Sequence, residues 1–310
     1  MKRFFEYVLG LLFYRSNGTC ASLAALLSTM SRDTLIRFLK NEWSGQKRLE
    51  VLLLAIRMLG GYLIIDDTPV EKPYSSTLEG LQYVYSSSLE KTVYGYCTVT
   101  MIWTDGTVKI PIGIRLWRKS KTKIELALEL LSYARNHLKL KPEFVLFDSW
   151  YACKKILKRI RDYGWYFVTR LKKNRKFNGS QLQTIGWRCY WKEIGYLSGG
   201  IKVFVVKNDG KYFATNRLSI TRSVLRKVYN IRPLIEEFHR ILKQECCFTS
   251  CQIDSLDAQE HHQWCAVFAF TVLEVERQPL GLSIYKLRSK LTCRGSRLAL
   301  PLFMNLCHDA

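Results

Sequence analysis

Two apolar segments of strand length, each followed by acidic residues, constrain the fold of this chain more than any other feature. The first, GYLIIDD at 61–67, ends in Asp66 and Asp67, and the second, FVLFDSWYA at 144–152, carries Asp148 after four apolar residues. A short continuous apolar run is typical of a strand buried on both faces. Ligand sites in α/β sheets lie beyond the carboxyl ends of the strands. The sequence therefore predicts an α/β sheet with carboxylates at the ends of two strands.

The two neighbouring acids of the first segment cannot both face one site. Successive side chains of a strand point to opposite faces of the sheet. Only one of Asp66 and Asp67 can therefore enter a given site, and the residue pattern alone does not choose between them.

The other secondary-structure signals are those of a mixed α/β domain. Alternating residues at 92–103 and 107–117, separated by Thr-Asp-Gly, predict a β-hairpin. Apolar periodicity at roughly 122–138 predicts a helix. The glycines that punctuate 178–216 predict a small antiparallel β insertion, and Ser219 can N-cap the helix that follows it.

The beginning of the chain predicts a helical lobe. Segment 18–44 predicts two short helices around a turn at 28–31, which is typical of a helix-turn-helix and also of two helices that simply pack together. The segment MKRFFEYVLGLLFY has a basic tip and an apolar middle, so a signal peptide is an alternative. Glu6 and Arg15 interrupt that pattern and favour an amphipathic first helix.

The charge of the chain points to a polyanionic partner. Its 310 residues include 48 Lys and Arg against 26 Asp and Glu, a formal net charge of +22, and nucleic acid is the natural candidate. Basic runs in the predicted helix at 154–161 and after the predicted strand at 165–169 flank the strand-end acids, which favours a DNA groove over a solvated face. The cations of the second run assigned to DNA binding are Arg170, Lys172, Lys173 and Arg175. No apolar run is long enough to span a membrane, so no membrane partner is expected.

The ten cysteines are expected to be reduced thiols, because no secretory signal is favoured. A zinc site is an alternative that four of the side chains could close in principle. They are Cys247, Cys251, His262 and Cys265. Their spacing lacks the paired C-x2-C pattern of structural zinc sites, which disfavours this alternative.

The segment 229–243, YNIRPLIEEFHRILK, predicts an amphipathic helix. At about 100° per residue, its polar face comprises Tyr229, Arg232, Glu236 and Lys243. Such a face suits a metal-binding Glu beside cations that grip phosphate, and a solvated ion pair is the alternative. Pro233 disfavours helical geometry in the residue before it. A helix beginning at Pro233 would leave Tyr229 and Arg232 on the preceding turn.

Three acids in this order suit phosphoryl transfer. Three carboxylates can hold two divalent cations roughly 4 Å apart, which activate one oxygen and stabilise the leaving oxygen. Oxygen ligands favour Mg²⁺ or Mn²⁺.

The combination resembles the DDE transposases of bacterial insertion sequences, in the branch with the signature Y-x2-R-x3-E-x6-K, which segment 229–243 matches at every position. IIDDT at 64–68 resembles the family's first motif, in which the catalytic Asp precedes Thr, so Asp67 is selected over Asp66. FVLFDSWY resembles the second motif. The β segment at 178–216 resembles the insertion that separates the second Asp from the Glu in this family.

The resemblance implies an α/β fold with an RNase H-like mixed sheet flanked by helices, a small antiparallel β insertion and a helical N-terminal lobe. It implies cleavage at the element ends and attack of the freed 3′-OH on target DNA, with two Mg²⁺ (or Mn²⁺) as cofactors. The metal ligands and catalytic residues would be Asp67, Asp148 and Glu236. Arg232 and Lys243 would hold phosphates, and Tyr229 would support a phosphate or the Glu.

The resemblance also implies the partners: double-stranded DNA, as terminal inverted repeats and target, and a second copy in a homodimer on paired ends. The location would be the bacterial cytoplasm, at the nucleoid. A non-catalytic DNA-binding descendant and an RNase H-like nuclease without strand transfer are the alternatives. The expected divisions are a helical DNA-binding lobe (1–58), a catalytic core in two parts (59–177 and 217–276), the β insertion (178–216) and a basic tail (277–310).

Overall fold

The computed structural model describes residues 2–14, 18–75, 77–78, 80–86, 90–185 and 191–292, and one mixed sheet lies at the centre of this part of the chain. The strands are β1 (Tyr62–Glu71), β2 (Gln82–Ser86), β3 (Lys91–Thr104), β4 (Ile110–Leu116), β5 (Phe144–Phe147), β6 (Phe167–Leu171), β7 (Lys176–Phe177), β8 (Ser180–Gln181), β9 (Trp191–Leu197), β10 (Ile201–Asn208) and β11 (Lys211–Thr215). Their order is β2-β3-β1-β5-β6-β11-β10-β9-β7-β8, and β4 pairs with β3.

Helices flank the sheet. They are α1 (Lys2–Phe13), α2 (Cys20–Leu27), α3 (Arg32–Lys40), α4 (Gly45–Leu53), α5 (Lys123–Asn136), α6 (Lys154–Asp162), α7 (Leu182–Ile185), α8 (Arg222–Tyr229), α9 (Leu234–Glu245) and α10 (Leu256–Leu280), and residues 284–292 are also helical. The N-cap of α8 is Thr221, whose hydroxyl oxygen accepts a hydrogen bond from the Val224 amide, so the prediction of Ser219 as N-cap is wrong.

Strand β1 is longer than the sequence indicates. The prediction that it ends at the two acids is wrong, because antiparallel pairing with β3 continues to Glu71, opposite Gly95. On its other side, parallel pairing with β5 is limited to residues 62–64 of β1. The acids therefore lie inside β1, beyond the residues that pair with β5. At the acids, no described strand pairs with that edge of β1.

The predicted hairpin is confirmed, since β3 and β4 pair antiparallel from Thr98 opposite Leu116 to Trp103 opposite Ile110. The glycine-punctuated segment also forms antiparallel strands. Strand β11 pairs with β6, β10 with β11, and β9 with β10. The insertion therefore extends the central sheet instead of forming a separate one.

The N-terminal helices pack against α10. Phe4 lies edge-on to Phe268 of α10, with ring centroids 4.9 Å apart, and the Tyr7 hydroxyl donates to His262 Nδ1. In α3 the residues Leu35 and Leu39 are fully buried. These contacts make α1 and α3 part of the main hydrophobic core. No helix in the described ranges combines the length and apolarity needed to cross a membrane.

Candidate active site

The predicted helix at 229–243 is interrupted at its proline. Helix α8 ends at Tyr229, and α9 begins at Leu234 with Pro233 as its N-cap. Between them, the Arg232 amide donates to the Tyr229 carbonyl and the Ile235 amide donates to the Arg232 carbonyl, both across three residues. The expectation of a turn before α9 is therefore confirmed for Arg232, whereas Tyr229 is the last residue of α8.

Asp66 lies on β1, and Asp148 directly follows β5, the parallel neighbour of β1. Ile64 of β1 is the register partner of Leu146 of β5. Both acids follow this last pair by two residues, both line one groove, and the negative charge of Asp148 acts on Asp66. Neighbouring strands are about 4.8 Å apart, so these carboxylates can act on one centre.

The turn after β5 fixes the orientation of Asp148. One carboxylate oxygen, Oδ1, accepts hydrogen bonds from the amides of Trp150 (2.9 Å) and Tyr151 (3.2 Å). The Asp148 carbonyl accepts another from the Thr169 hydroxyl of β6. No hydrogen bond from the described residues reaches the other carboxylate oxygen, which is therefore available for a ligand.

Asp66 faces α9 and is paired with an arginine. Arg232 donates to Asp66 Oδ2 at 2.7 Å. Burial raises the pKa of Asp66 to about 7, which the Arg232 charge opposes and the negative charges of Asp67 and Asp148 reinforce. Asp66 is therefore a carboxyl group whose ionised form is short of compensating positive charge.

Glu236 reaches the same arginine from the first turn of α9. Its Oε1 accepts from Arg232, which thus bridges Glu236 and Asp66. The Glu236 side chain is 58% exposed, so it can rotate at little cost. Within the described ranges, no three His, Cys, Asp or Glu side chains lie close enough to ligate a metal as they stand. Joint ligation by Asp66, Asp148 and Glu236 would therefore require Glu236 to leave Arg232.

Asp67 faces the opposite side of the sheet, where it is held by three donors. They are Lys123 Nζ (2.7 Å), the Tyr151 hydroxyl (2.9 Å) and the Cys97 thiol (2.9 Å). Burial raises the pKa of Asp67, but the Lys123 charge and the hydrogen bonds outweigh burial and lower it below the ordinary value. The structure thus places the predicted ligand Asp67 against α5 and places Asp66 on the face of α9.

A buried histidine ties α9 to β1 beneath Asp66. His239 Nε2 lies 2.7 Å from the Thr100 hydroxyl, which donates to the Asp66 carbonyl. Burial lowers the pKa of His239 to about 3, and the nearby Lys243 charge adds to this, so the ring is neutral at pH 7. This network fixes α9 against the strand that carries Asp66.

The two other signature residues lie on either side of these acids. Lys243 donates to the Pro69 carbonyl at 2.9 Å, on the open part of β1. The Tyr229 ring packs edge-on against Phe213, and burial raises the pKa of its hydroxyl. The charges of Arg170, Arg232, Asp66 and Asp148 also act on that hydroxyl, so Tyr229 lies near the acids.

An open groove of ≈ 1700 Å³ runs along the free edge of β1. The acids Asp66, Asp67, Asp148 and Glu236 all line it. Its walls carry eight cations, which are Lys119, Lys121, Lys123, Lys154, Lys155, Arg232, Arg240 and Lys243. The groove is therefore acidic at one point and basic around it.

The residues of the basic segment at 170–175 are not among those that line this groove. Arg170 lies on β6, opposite Phe213, and acts on the Tyr229 hydroxyl. Lys172, Lys173 and Arg175 lie in the turn between β6 and β7, where the Arg175 amide donates to the Lys172 carbonyl. Lys172 and Arg175 line a second cavity instead.

The zinc alternative finds no support in the described residues. Both ring nitrogens of His262 are occupied, since Nε2 donates to the Cys247 carbonyl (2.7 Å) and Nδ1 accepts from the Tyr7 hydroxyl (2.8 Å). Cys247, Cys251 and Cys265 are buried thiols with raised pKa values, because burial disfavours the thiolate.

Sequence reasoning missed four residues that shape the site: Cys97, Lys123, Tyr151 and His239. Lys123 belongs to the basic run before α5, and Tyr151 to the segment that carries Asp148. One indication of these partners was present in the sequence. Because side chains alternate between the two faces of β1, one of Asp66 and Asp67 had to have its partners on the face away from the site.

Comparison with known proteins identifies a family and a similar fold. The transposase DDE domain family matches residues 60–272. The piggyBac transposase synaptic complex with hairpin DNA matches with a TM-score of 0.58 and 13% identity, over 94% of this chain and 70% of that chain. The Mos1 strand transfer complex matches with a TM-score of 0.21 and 15% identity, over 48% and 52% of the two chains. No curated protein sequence matches.

The match at TM-score 0.58 confirms an RNase H-like mixed α/β fold. The family match covers more than half of the chain. The chain therefore belongs to the transposase DDE domain family.

Proposed function

We propose that this transposase cleaves DNA at the ends of an insertion sequence in a metal-dependent reaction and joins the freed 3′-OH to target DNA. The observation that carries the proposal is that Asp66 on β1 and Asp148 directly after β5 line one groove with Glu236, and that Arg232 bridges Asp66 and Glu236. We assign the catalytic acids as Asp66, Asp148 and Glu236. The sequence prediction chose Asp67, whose carboxylate is instead occupied by Lys123, Tyr151 and Cys97.

The chemistry of these residues fits a hard divalent cation. All three offer carboxylate oxygens, which Mg²⁺ and Mn²⁺ prefer. Burial and neighbouring negative charge raise the pKa of Asp66. A bound cation would stabilise the ionised carboxylate against both effects. Bound by these acids, a pair of such ions would activate the attacking oxygen and stabilise the leaving one.

The cations around the acids have separate tasks in this proposal. Arg232 balances Asp66 and Glu236 in the free protein, and its guanidinium can instead bind a phosphate through two parallel hydrogen bonds. Lys243 stands on the open edge of β1 as a second phosphate contact. His239 stays neutral and holds α9 in place, so it does not add positive charge to the metal-binding face.

Double-stranded DNA is the proposed substrate, bound by a homodimer on paired ends in the bacterial cytoplasm. The net charge of +22 and the lysine-rich walls of the groove support a polyanionic substrate. The piggyBac transposase structure that this chain resembles in fold is a synaptic complex with hairpin DNA.

A nuclease without strand transfer is the second candidate, because the same acids would support simple hydrolysis. A joining assay with a pre-cleaved 3′-OH end separates the two functions. Joined product supports the transposase, and hydrolysis without joining supports the nuclease.

The central experiment compares two neighbouring glutamates of α9. Glu236→Gln removes a proposed ligand, whereas Glu237→Gln removes the same charge from a residue paired with Lys109. With Mg²⁺ and a duplex from the DNA flanking the coding sequence, Glu236→Gln should reduce strand cleavage by roughly 10³-fold or more. Glu237→Gln should retain cleavage within about threefold.

DNA binding in EDTA gives the matching readout. Glu236→Gln should bind the duplex at least as well as the unchanged protein, because it removes a negative charge near phosphate. Equal cleavage by both variants would refute the assignment of Glu236.

A further inference from the structure

A second cavity of ≈ 300 Å³ lies behind the turn that carries Asp148. Its walls come from three loops: those after β5 and β6, and the turn between β9 and β10. The polar residues that line it are Ser149, Lys172, Asn174, Arg175, Lys176 and Ser198. None of its lining residues is acidic. The cavity therefore combines three cations with neutral hydrogen-bonding groups.

The charges of this cavity are uncompensated within the described residues. Arg175 Nε is buried and has no hydrogen-bond partner there. No described acid forms an ion pair with Lys172, Arg175 or Lys176. A buried donor without an acceptor is costly, and a guanidinium beside two ammonium groups suits the oxygens of a phosphate.

The cavity is adjacent to the acidic groove. Ser149 follows Asp148 directly, so the turn that orients Asp148 also forms a wall of the cavity. Lys154 lines the groove and also reaches Gly199, next to Ser198, where an added Cβ would lie 2.6 Å from Lys154 Cε. A strand leaving the acids can therefore follow positive charge from the groove to the cavity.

We propose that this cavity binds a backbone phosphate of the DNA strand, one or more nucleotides from the phosphate that reacts at the acids. The inference rests on the proposed function for the identity of the strand. Arg175 supplies the fork, Lys172 and Lys176 supply charge, and the serine and asparagine side chains supply further hydrogen bonds. A phosphodiester group can accept hydrogen bonds from the Arg175 guanidinium and is attracted by the charges of Lys172 and Lys176.

The test measures binding without cleavage, by titrating the full-length protein in EDTA with a fluorescent duplex from the DNA flanking the coding sequence. Arg175→Ala should weaken binding about 5- to 50-fold and lower the slope of log K against log salt by about 1. Arg175→Lys should recover part of the affinity but not all of it, because it keeps the charge and loses the fork. Lys141→Ala is the matched control, since Lys141 is exposed and precedes β5, at its other end from Ser149.

Duplexes that carry one neutral methylphosphonate at successive positions locate the contact. One position should weaken binding of the unchanged protein and have no further effect on Arg175→Ala. Arg175→Ala binding like Lys141→Ala would overturn the proposal, as would equal sensitivity of both proteins at every position. Thermal stabilisation by inorganic phosphate without any effect of Arg175→Ala on DNA binding would assign the cavity to free phosphate instead. Since no cleavage is measured, a failed Glu236 test leaves this result intact.

Discussion

Asp66 and Asp67 are neighbours on β1, yet the two faces of the sheet give them different environments. On the α9 side, Asp66 shares Arg232 with Glu236 and lies close enough to Asp148 to be affected by its charge. On the α5 side, Asp67 accepts hydrogen bonds from Lys123, Tyr151 and Cys97. The pKa of Asp66 is raised and that of Asp67 is lowered.

This difference separates a carboxylate that can bind a ligand from one that holds the scaffold. A carboxylate that accepts three hydrogen bonds has little capacity left for a metal ion. A buried carboxylate that shares one arginine with another acid is instead stabilised in its ionised form by a cation. The donors of Asp67 come from β3, α5 and the turn after β5. Asp67 therefore connects the elements that surround the acids, and we assign it a positioning role.

The largest expected effect distinguishes the two acids by activity. Asp66→Asn should reduce Mg²⁺-dependent cleavage by roughly 10³-fold or more, because it removes a proposed ligand. Asp67→Asn should reduce it only about 10- to 100-fold, as expected for a group that orients ligands. Quantitative cleavage kinetics with both variants, alongside circular dichroism as a check of folding, measure the difference. The reverse order of effects would restore Asp67 as the ligand.

The second prediction uses pH, because the two shifts have opposite signs. The folded pKa of Asp66 lies above its ordinary value of 3.8, at about 7, so its contribution to stability is full below pH 3.8 and is lost as pH rises through about 7. About three pKa units correspond to about 4 kcal/mol. The folded pKa of Asp67 is lowered, so its contribution is present above pH 3.8 and is lost as pH falls through the folded value.

Urea denaturation in EDTA at a series of pH values tests both signs. The stability of the unchanged protein minus that of Asp66→Asn should fall between pH 4 and pH 7. The corresponding difference for Asp67→Asn should grow with pH and then stay level. Parallel curves for the two variants would mean that the two faces do not differ in charge compensation.

The main elements of the fold could be predicted because their signals are local. The apolar run before Asp148, the alternation of β3 and β4, and the proline before α9 each act within a few residues. The full length of β1 could not be predicted in the same way. It depends on pairing with β3 as far as Gly95, a contact that no local pattern encodes.

The sequence could not determine which of Asp66 and Asp67 faces the site, because this choice also depends on contacts between distant parts of the chain. Parity required them to face opposite sides, but which side carries the site depends on where α9 and α5 pack. The partners of Asp67 are 30, 56 and 84 residues away along the chain. The motif resemblance selected Asp67, and the packing of α9 over Asp66 supports the other choice.

The smallest effect concerns the single hydrogen bond from Tyr151 to Asp67. Tyr151→Phe keeps the buried ring and removes only the hydroxyl that donates to Asp67 Oδ1. The expected loss is about 2 kcal/mol of unfolding free energy, because hydrogen bonds to charged groups contribute roughly 1.5–3 kcal/mol. Tyr166→Phe is the matched control, since its ring is 42% exposed, and it should change stability by less than about 0.5 kcal/mol.

The pH dependence and the cleavage activity of Tyr151→Phe also test whether the α5 side and the α9 side of β1 have different roles. Removing a donor from Asp67 raises its pKa, so the loss of stability in Tyr151→Phe should shrink at low pH, where Asp67 is protonated in both proteins. Cleavage should fall by less than in Asp67→Asn, because Lys123 and Cys97 still hold the carboxylate. If Tyr151→Phe instead lost as much cleavage as Asp66→Asn while keeping its stability, the tyrosine would act on the reaction and not on the scaffold. The α5 side of β1 would then belong to the active site as much as the α9 side does.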